Sequence, residues 1–283
     1  MRLKIPVEDR VSTYPGRVKL TPVAGATNMY DMERADAPIV EGTPMNKALF
    51  DSKADAMETN VTVYVSTSGN DANGDGSVDA PFATVQKAVD SIPKVLNGHE
   101  VTIDVATGTY NEVVSIVGFS GGKLKVGVSG RSTTIRGVRI VNSSLVEMNI
   151  RNIILMNEFK QSPFVAEGGS NVVIGSHLSI NGNNNSINGI TAIDGSTVTA
   201  NASTTVGVSF CYGAAATADK CSRISFDTLS GTDNVVGVTA VRGSIISYRT
   251  QSMTNMWGNS ADSGGLVLTG SNSSELSGAT LDF

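Results

Sequence analysis

Short runs of β-branched and aliphatic residues recur from Gly98 onward, and Gly, Ser and Asn residues separate them. Runs such as VTIDV at 101–105, TIRGVRIV at 134–141 and NVVIGSHLSI at 171–180 are typical of β-strands. A helical period does not appear in this part of the sequence. The chain is 40% hydrophobic but only 5% aromatic, which suits thin, repeated β-layers better than one large mixed core. The sequence therefore predicts an all-β fold.

Three all-β architectures are compatible with this pattern, namely a sandwich, a closed barrel and a solenoid. Irregular polar loops separate the runs, and Asn-Gly or Asp-Gly hairpin turns are few. This favours a parallel β-helix, in which each coil buries aliphatic side chains and stacks like residues at its turns. Asparagines such as Asn142, Asn149 and Asn201 are the predicted turn stack. At roughly 20–25 residues per coil, the stretch from Val101 to Phe283 holds about eight coils.

Charge density divides the chain into two predicted domains, because charged residues are frequent in 1–60 and sparse beyond residue 131. The first domain contains an arm, a small hairpin with strands at 18–23 and 29–32, and a short helix. Thr43 suits the N-cap of that helix and Pro44 its first position. The second domain, 61–283, is the predicted solenoid. Its capping helix is predicted at about 81–95, where apolar residues recur at helical spacing until Pro93.

The beginning of the second domain carries a specific resemblance. The segments YVSTSGND at 64–71 and APFATVQKAV at 80–89 are followed by GTYNE at 108–112. Together they resemble the opening of pectate-lyase-like β-helix proteins, a group that includes many phage tailspikes. The resemblance covers about 50 residues. It implies a right-handed parallel β-helix whose N-terminal mouth is closed by a helix, since the first coil otherwise exposes unpaired backbone. This fold is shared by enzymes and by pure binders.

The first domain has a resemblance of its own. The segment IVEGTPMNKALF at 39–50 resembles the G-T-P-L-N segment near the start of many tail fibre and baseplate-associated proteins of phages that infect Gram-positive bacteria. Met45 stands where Leu is usual. The resemblance implies a virion protein that attaches to the particle through this segment, with Thr43, Pro44, Asn46 and Phe50 as the predicted attachment residues. It also supports a homotrimer, in which the short helix would find its packing partners.

Composition argues against several other partners. The net charge is −5 and no basic stripe is visible, so a nucleic acid is not expected. No run reaches the roughly 20 apolar residues of a membrane span. The N-terminus shows no apolar signal region, so we expect synthesis in the host cytoplasm and incorporation into the virion. Cys211 and Cys221 are predicted to be idle thiols, with a disulfide that closes the short loop between them as the alternative.

Neither a metal site nor a catalytic site is predicted, and no cofactor is expected. The spacing of Asp71, Asn73 and Asp75 matches the first half of a calcium loop, but Phe82 stands where that loop needs a bidentate Glu. A loop of local Asx-turns is the preferred interpretation. Asp227 and Asp233 are the nearest candidates for paired carboxylates, with Arg223 close in sequence. Surface solvation explains them more simply. His99 and His177 lack metal-ligand spacing.

Three aromatic residues are the candidates for glycan or receptor binding. Trp257, the single tryptophan, lies in the segment NMWGN at 255–259, where its indole could stack on a sugar ring while the amides bond hydroxyl groups. Tyr248 and Tyr212 are the other two. The alternative for Trp257 is a hydrophobic plug of the last coils. The sequence thus favours a non-enzymatic phage tail fibre or tailspike-like protein that binds host cell-surface polysaccharide. A glycan depolymerase of the same architecture and a capsid fibre or decoration protein are the alternatives.

Overall fold

The computed structural model describes four strands in the first 55 residues, then residue 57 and residues 59–154, 162–184 and 188–269. The chain divides into two compact units, Met1–Asp55 and Ala56–Phe283. In the first unit, β1 (Val11–Ser12) pairs antiparallel with β4 (Pro38–Val40). A second antiparallel pair joins β2 (Val18–Pro22) to β3 (Tyr30–Arg34), where the sequence predicted a hairpin. The predicted arm before Val11, the helix after Thr43 and the four attachment residues lie outside the described residues.

The second unit is an all-β parallel solenoid of about seven turns, and its described residues contain a single short helix. Its strands pair in one 18-stranded, wholly parallel arrangement. The helix, α1, spans Val85–Ser91. The strands are β5 Val61–Val65, β6 Glu100–Val105, β7 Gly108–Val117, β8 Lys123–Val126, β9 Thr133–Val141, β10 Val146–Met148, β11 Asn152–Ile154, β12 Phe164–Glu167, β13 Asn171–Ile174, β14 Leu178–Asn181, β15 Ile190–Ala192, β16 Thr197–Ala200, β17 Thr205–Ser209, β18 Ala214–Ala218, β19 Arg223–Val241, β20 Ile245–Trp257, β21 Ser260–Asp262 and β22 Leu266–Thr269.

The pairings sort these strands into three faces. Face A contains β5, β6, β8, β10, β13, β16, the first parts of β19 and β20, and β22. Face B contains the first parts of β7 and β9, then β11, β14, β17 and the middle parts of β19 and β20. Face C contains the last parts of β7 and β9, then β12, β15, β18, the last part of β19, and β21.

Buried aliphatic ladders run through the solenoid and form its core. On face A, equivalent inward positions lie 21 to 26 residues apart in sequence, which is the length of one coil; they are Val101, Leu124, Val146, Val172, Val198, Ile224, Ile246 and Val267. On face C the side chains become smaller toward the C-terminus, from Ile116 and Ile140 to Ala166, Ala192, Ala218, Ala240 and Ala261. The sequence predicted about eight coils over Val101–Phe283, of which 270–283 lie outside the described residues.

Serine, and not the predicted asparagine, forms the main turn stack. Ser143, Ser170, Ser196, Ser222 and Ser244 are buried at successive turns between face C and face A. The last four hydroxyls each accept a hydrogen bond from the backbone N–H of the serine one coil earlier, at 3.0–3.2 Å, and the Ser143 hydroxyl accepts the N–H of Phe119 at 3.3 Å. The residues that precede these serines all have a positive φ; they are Asn142, Gly169, Gly195, Cys221 and Gly243. The hydroxyls thus accept hydrogen bonds from backbone N–H groups that point away from the sheets at these tight turns.

Helix α1 is shorter than the predicted 81–95, and local chemistry explains both ends. Thr84 is the N-cap, and its hydroxyl accepts a hydrogen bond from the N–H of Lys87. Ile92 is already extended, at φ −93° and ψ 131°. It precedes Pro93, and the ring of a proline disfavours the helical conformation in the residue before it. Among the described residues, no helix has the length and apolarity to span a membrane.

Candidate functional site

The residues that carry the β-helix resemblance hold the chain around α1 together. The Asp71 carboxylate accepts hydrogen bonds from the N–H groups of Ala83 and Thr84 and from the Thr84 hydroxyl, at 2.7–3.1 Å. The Glu112 carboxylate accepts the next two N–H groups, of Val85 and Gln86, at 2.7 and 2.9 Å. Gly69 leaves no space for a side chain, because a Cβ there would lie 2.2 Å from the carbonyl oxygen of Phe82. These motif residues therefore have structural roles.

Asn70 and Asp75 use their side-chain oxygens on the local backbone of the loop after β5, whereas the Asp71 carboxylate binds the residues just before α1. Asn70 Oδ1 accepts the N–H groups of Ala72 and Asn73. Asp75 Oδ1 accepts the N–H of Ser77, and hydrogen bonds from Ser77 lower the pKa of Asp75. Such bonds define Asx-turns, as the sequence indicated. Over the described part of the chain, no group of three or more His, Cys, Asp or Glu residues has the arrangement to hold a metal ion.

Most carboxylates along the coils are engaged in ion pairs. Arg242 binds Asp219, and this hydrogen bond lowers the pKa of Asp219. Lys220 Nζ lies 2.9 Å from Asp194 Oδ1, and Lys125 Nζ lies 2.8 Å from Glu100 Oε1. These ion pairs join side chains of neighbouring coils.

Asp227 and Asp233 do not form a carboxylate pair. Both belong to β19, at the two ends of its face-B part, and six residues of extended strand span about 20 Å at about 3.3 Å per residue. Glycosidase carboxylates need a separation of about 5–10 Å. Asp227 instead accepts hydrogen bonds from Arg249 and from the N–H of Ser203. His177 is also used locally, since its Nδ1 accepts the N–H of Thr205 at 2.9 Å.

The structure places two of the three candidate aromatic residues at the same kind of turn, two coils apart. Tyr212 is 77% exposed and Trp257 is 66% exposed. Both lie where the chain turns from face B to face C. Trp257 pairs with Val236, and Val236 pairs with Ala214, two residues after Tyr212. We call the three stacked segments at this turn, 209–213, 232–236 and 255–259, the aromatic corner.

Two further apolar side chains, which the sequence did not single out, belong to the aromatic corner. Phe210 is 36% exposed and Met256 is 74% exposed. Phe210 has φ 58°, a left-handed conformation that is unusual for a bulky residue. The segment SFCYG at 209–213 was the available signal, because two aromatic residues stand close together in a chain that is poor in them.

A buried amide holds the three segments of the aromatic corner in place. Asn234 is 2% exposed. Its Oδ1 accepts the N–H of Cys211, and its Nδ2 donates to the carbonyl oxygen of Val208 and to Asn255 Oδ1. The backbone adds further bonds, from Phe210 N to Thr232 O and from Val235 N to Cys211 O, both 3.1 Å. The exposed aromatic side chains therefore belong to segments that several hydrogen bonds hold in place.

Tyr248 lies inside the last coils and is only 6% exposed. Its hydroxyl oxygen accepts a 2.6 Å hydrogen bond from Asn259 Nδ2, and burial raises the pKa of the phenol. Asn259 also bonds both amide atoms of Gln251 and the N–H of Val238. This network joins Tyr248 and Gln251 of β20 to Asn259 of the aromatic corner, so Tyr248 is in a supporting position. Cys211 is buried and Cys221 is exposed, and the two form no disulfide with each other.

Comparison with known proteins leaves the fold and the aromatic corner as the basis for any functional argument. No family model, curated protein or solved structure matches the chain.

Proposed function

We propose that the chain is a non-enzymatic phage virion protein, of the tail fibre or tailspike-like kind, which adsorbs to the host cell surface through its solenoid. The observation that carries this proposal is the aromatic corner. Large apolar side chains that remain exposed together on a well-packed scaffold are typical of interaction sites. The engagement of the carboxylates in ion pairs favours binding over cleavage as the activity.

In this proposal the solenoid is a right-handed β-helix and α1 closes its N-terminal end. The contacts of α1 support that role. Gln86 Oε1 accepts the N–H of Ser115 and Gln86 Nε2 donates to its carbonyl oxygen, so the amide occupies the first edge of face C in the way a strand would. The first unit attaches to the virion through the segment with Thr43, Pro44, Asn46 and Phe50, as the phage-fibre resemblance implies. The assembly is a homotrimer.

Adsorption to intact cells tests the proposal directly. We expect the purified, fluorescently labelled full chain to sediment with cells of some strains in a Gram-positive panel. The same incubations are assayed for new reducing ends and for unsaturated sugar products, and we expect neither. Sustained release of either product would contradict the binding role and establish a depolymerase. Absence of adsorption across strains known to be infected by the source phage would favour a capsid fibre instead.

A further inference from the structure

We infer that the aromatic corner binds an uncharged polysaccharide, which lies along the solenoid axis across at least two coils. This inference rests on the proposed adsorption function and names the chemical class of its ligand and the surface that takes it. It is carried by the spacing of the exposed aromatic side chains, by the polar groups beside them and by the distribution of charge around them.

The spacing fits an extended ligand. The segments of Tyr212 and Trp257 are two strand steps apart along the axis, which is about 10 Å at about 4.8 Å per step. The half-buried Val235 and Val236 occupy the step between them. One sugar ring covers one aromatic side chain, so a ligand that contacts both must contain several linked rings. Its chain must run along the solenoid axis, from one coil to the next.

The polarity of the aromatic corner fits a sugar. A pyranose ring presents C–H groups on its face and hydroxyl groups at its edge, and aromatic side chains pack well against the former. Hydroxyl-bearing side chains lie next to the aromatic ones on face B, where the exposed Thr232 and Thr254 are paired neighbours. Aromatic surface with a few adjacent hydrogen-bonding groups is the usual composition of a small-molecule site. A stable protein interface uses about 20–30 residues a side, more than this corner offers.

The charge distribution excludes an acidic polymer as the preferred ligand. Asp233 is the one charged residue in the three segments of the aromatic corner, all of which are described. Cations of the same coils lie at the other two turns, where Arg249 pairs with Asp227 and Arg242 with Asp219. Within the three described segments of the aromatic corner, an uronate or phosphate group would thus meet a carboxylate and no cation. Desolvating it there would be unfavourable.

The test is a binding titration of the full chain against purified polysaccharides, using a neutral glucan, a neutral mannan and neutral cell-wall glycans of the adsorbing strain, beside polygalacturonate and teichoic acid. We expect saturable binding to at least one neutral polymer and none to the acidic ones. Trp257→Ala and Tyr212→Ala should each weaken this binding by roughly tenfold, the usual loss for an aromatic anchor. Val117→Ala, at an exposed valine that ends β7 on face C, is the matched control and should leave the affinity unchanged.

Several outcomes would overturn the inference. Stronger binding to the acidic polymers, or unchanged affinity in both aromatic variants, would remove the aromatic corner as the site. A lower assembly mass of Trp257→Ala in light scattering would show that the aromatic corner contacts a second copy instead. Adsorption to cells without binding to any neutral polymer would overturn this inference and leave the proposed function standing. Binding to neutral polymers without adsorption to cells would overturn the proposed function and leave this inference standing.

Discussion

Phe210 combines exposure with an unfavourable backbone conformation, at φ 58°. At an equivalent turn in the preceding coil, Asn184 has φ 55°, and asparagine tolerates this conformation well. A phenylalanine here therefore costs local stability that asparagine would not. Strain of this kind at an exposed aromatic residue is typical of functional sites and agrees with a binding role for the aromatic corner.

A pair of substitutions separates the backbone cost at Phe210 from the loss of the ring. Phe210→Ala and Phe210→Asn both remove the ring, but only asparagine relieves the left-handed conformation. We expect Phe210→Asn to be more stable than Phe210→Ala by about 1 kcal/mol, measured by urea denaturation. Equal stabilities would contradict the left-handed conformation at this position.

The serine ladder makes a prediction about buried N–H groups. Ser196→Ala removes the acceptor of the Ser170 N–H, which then stays buried without a partner. We expect a loss of about 1–3 kcal/mol in the free energy of unfolding. Ser179→Ala, at an exposed position on face B, is the control and should change it by less than about 0.5 kcal/mol. Similar losses in both variants would show that the Ser196 hydroxyl has no special role.

At the scale of elements, α1 and the first coil depend on two carboxylates. Burial raises the pKa of Glu112, although the N–H groups of Gln86 and Val85 act in the opposite direction. The folded protein thus favours the protonated form more than the unfolded chain does. The stability that Glu112 contributes through this shift is fully present below the pKa of unfolded glutamate and is lost as pH rises through the raised folded pKa.

Glu112→Gln removes this titration and keeps one carbonyl acceptor for the α1 N–H groups. We expect the stability of the variant relative to the original chain to increase as pH rises from about 4. Thermal melts between acid and neutral pH measure this difference. Glu112→Ala is the companion variant, and it should be less stable than Glu112→Gln throughout because both N–H groups lose their acceptor. A difference between Glu112→Gln and the original chain that does not vary with pH would contradict the raised pKa.

At the scale of the whole molecule, the ladders on the three faces run through a solenoid of about seven turns. Each coil contacts mainly its neighbours, so stability accumulates from one coil to the next. Charge pairs and serine hydroxyls fix the turns, while the side chains at the aromatic corner remain exposed. Different positions of one repeated coil thus hold the fold and the candidate site.

The proposed homotrimer is testable by mass. We expect light scattering of the full chain to give three times the 29.4 kDa of one chain, and the value should persist on dilution to low micromolar concentration. The trimer is proposed from the phage-fibre resemblance of the first unit. A monomer mass at micromolar concentration would contradict it, while the adsorption test would remain valid for the single chain.

The sequence by itself determined the all-β class and the parallel solenoid. It did so because β-branched residues and few aromatic residues indicate thin β-layers, and irregular polar loops favour stacked coils over a sandwich or a barrel. It also located the segment around Asp71 and Glu112, where several side chains must satisfy the same few backbone groups. Such requirements act between residues that are close together in the structure, and they produce a recognisable sequence motif.

Only the tertiary structure decided the register and the exposure of each side chain. Coil lengths vary between 21 and 26 residues, and each turn can change which alternate residues point inward. For this reason GGSNVV at 168–173 and DGSTVT at 194–199 become recognisable as one repeat only after the serines are stacked. The same effect places Tyr248 inside the coil and Trp257 outside it. Two aromatic residues on one strand thus have different roles because a turn lies between them.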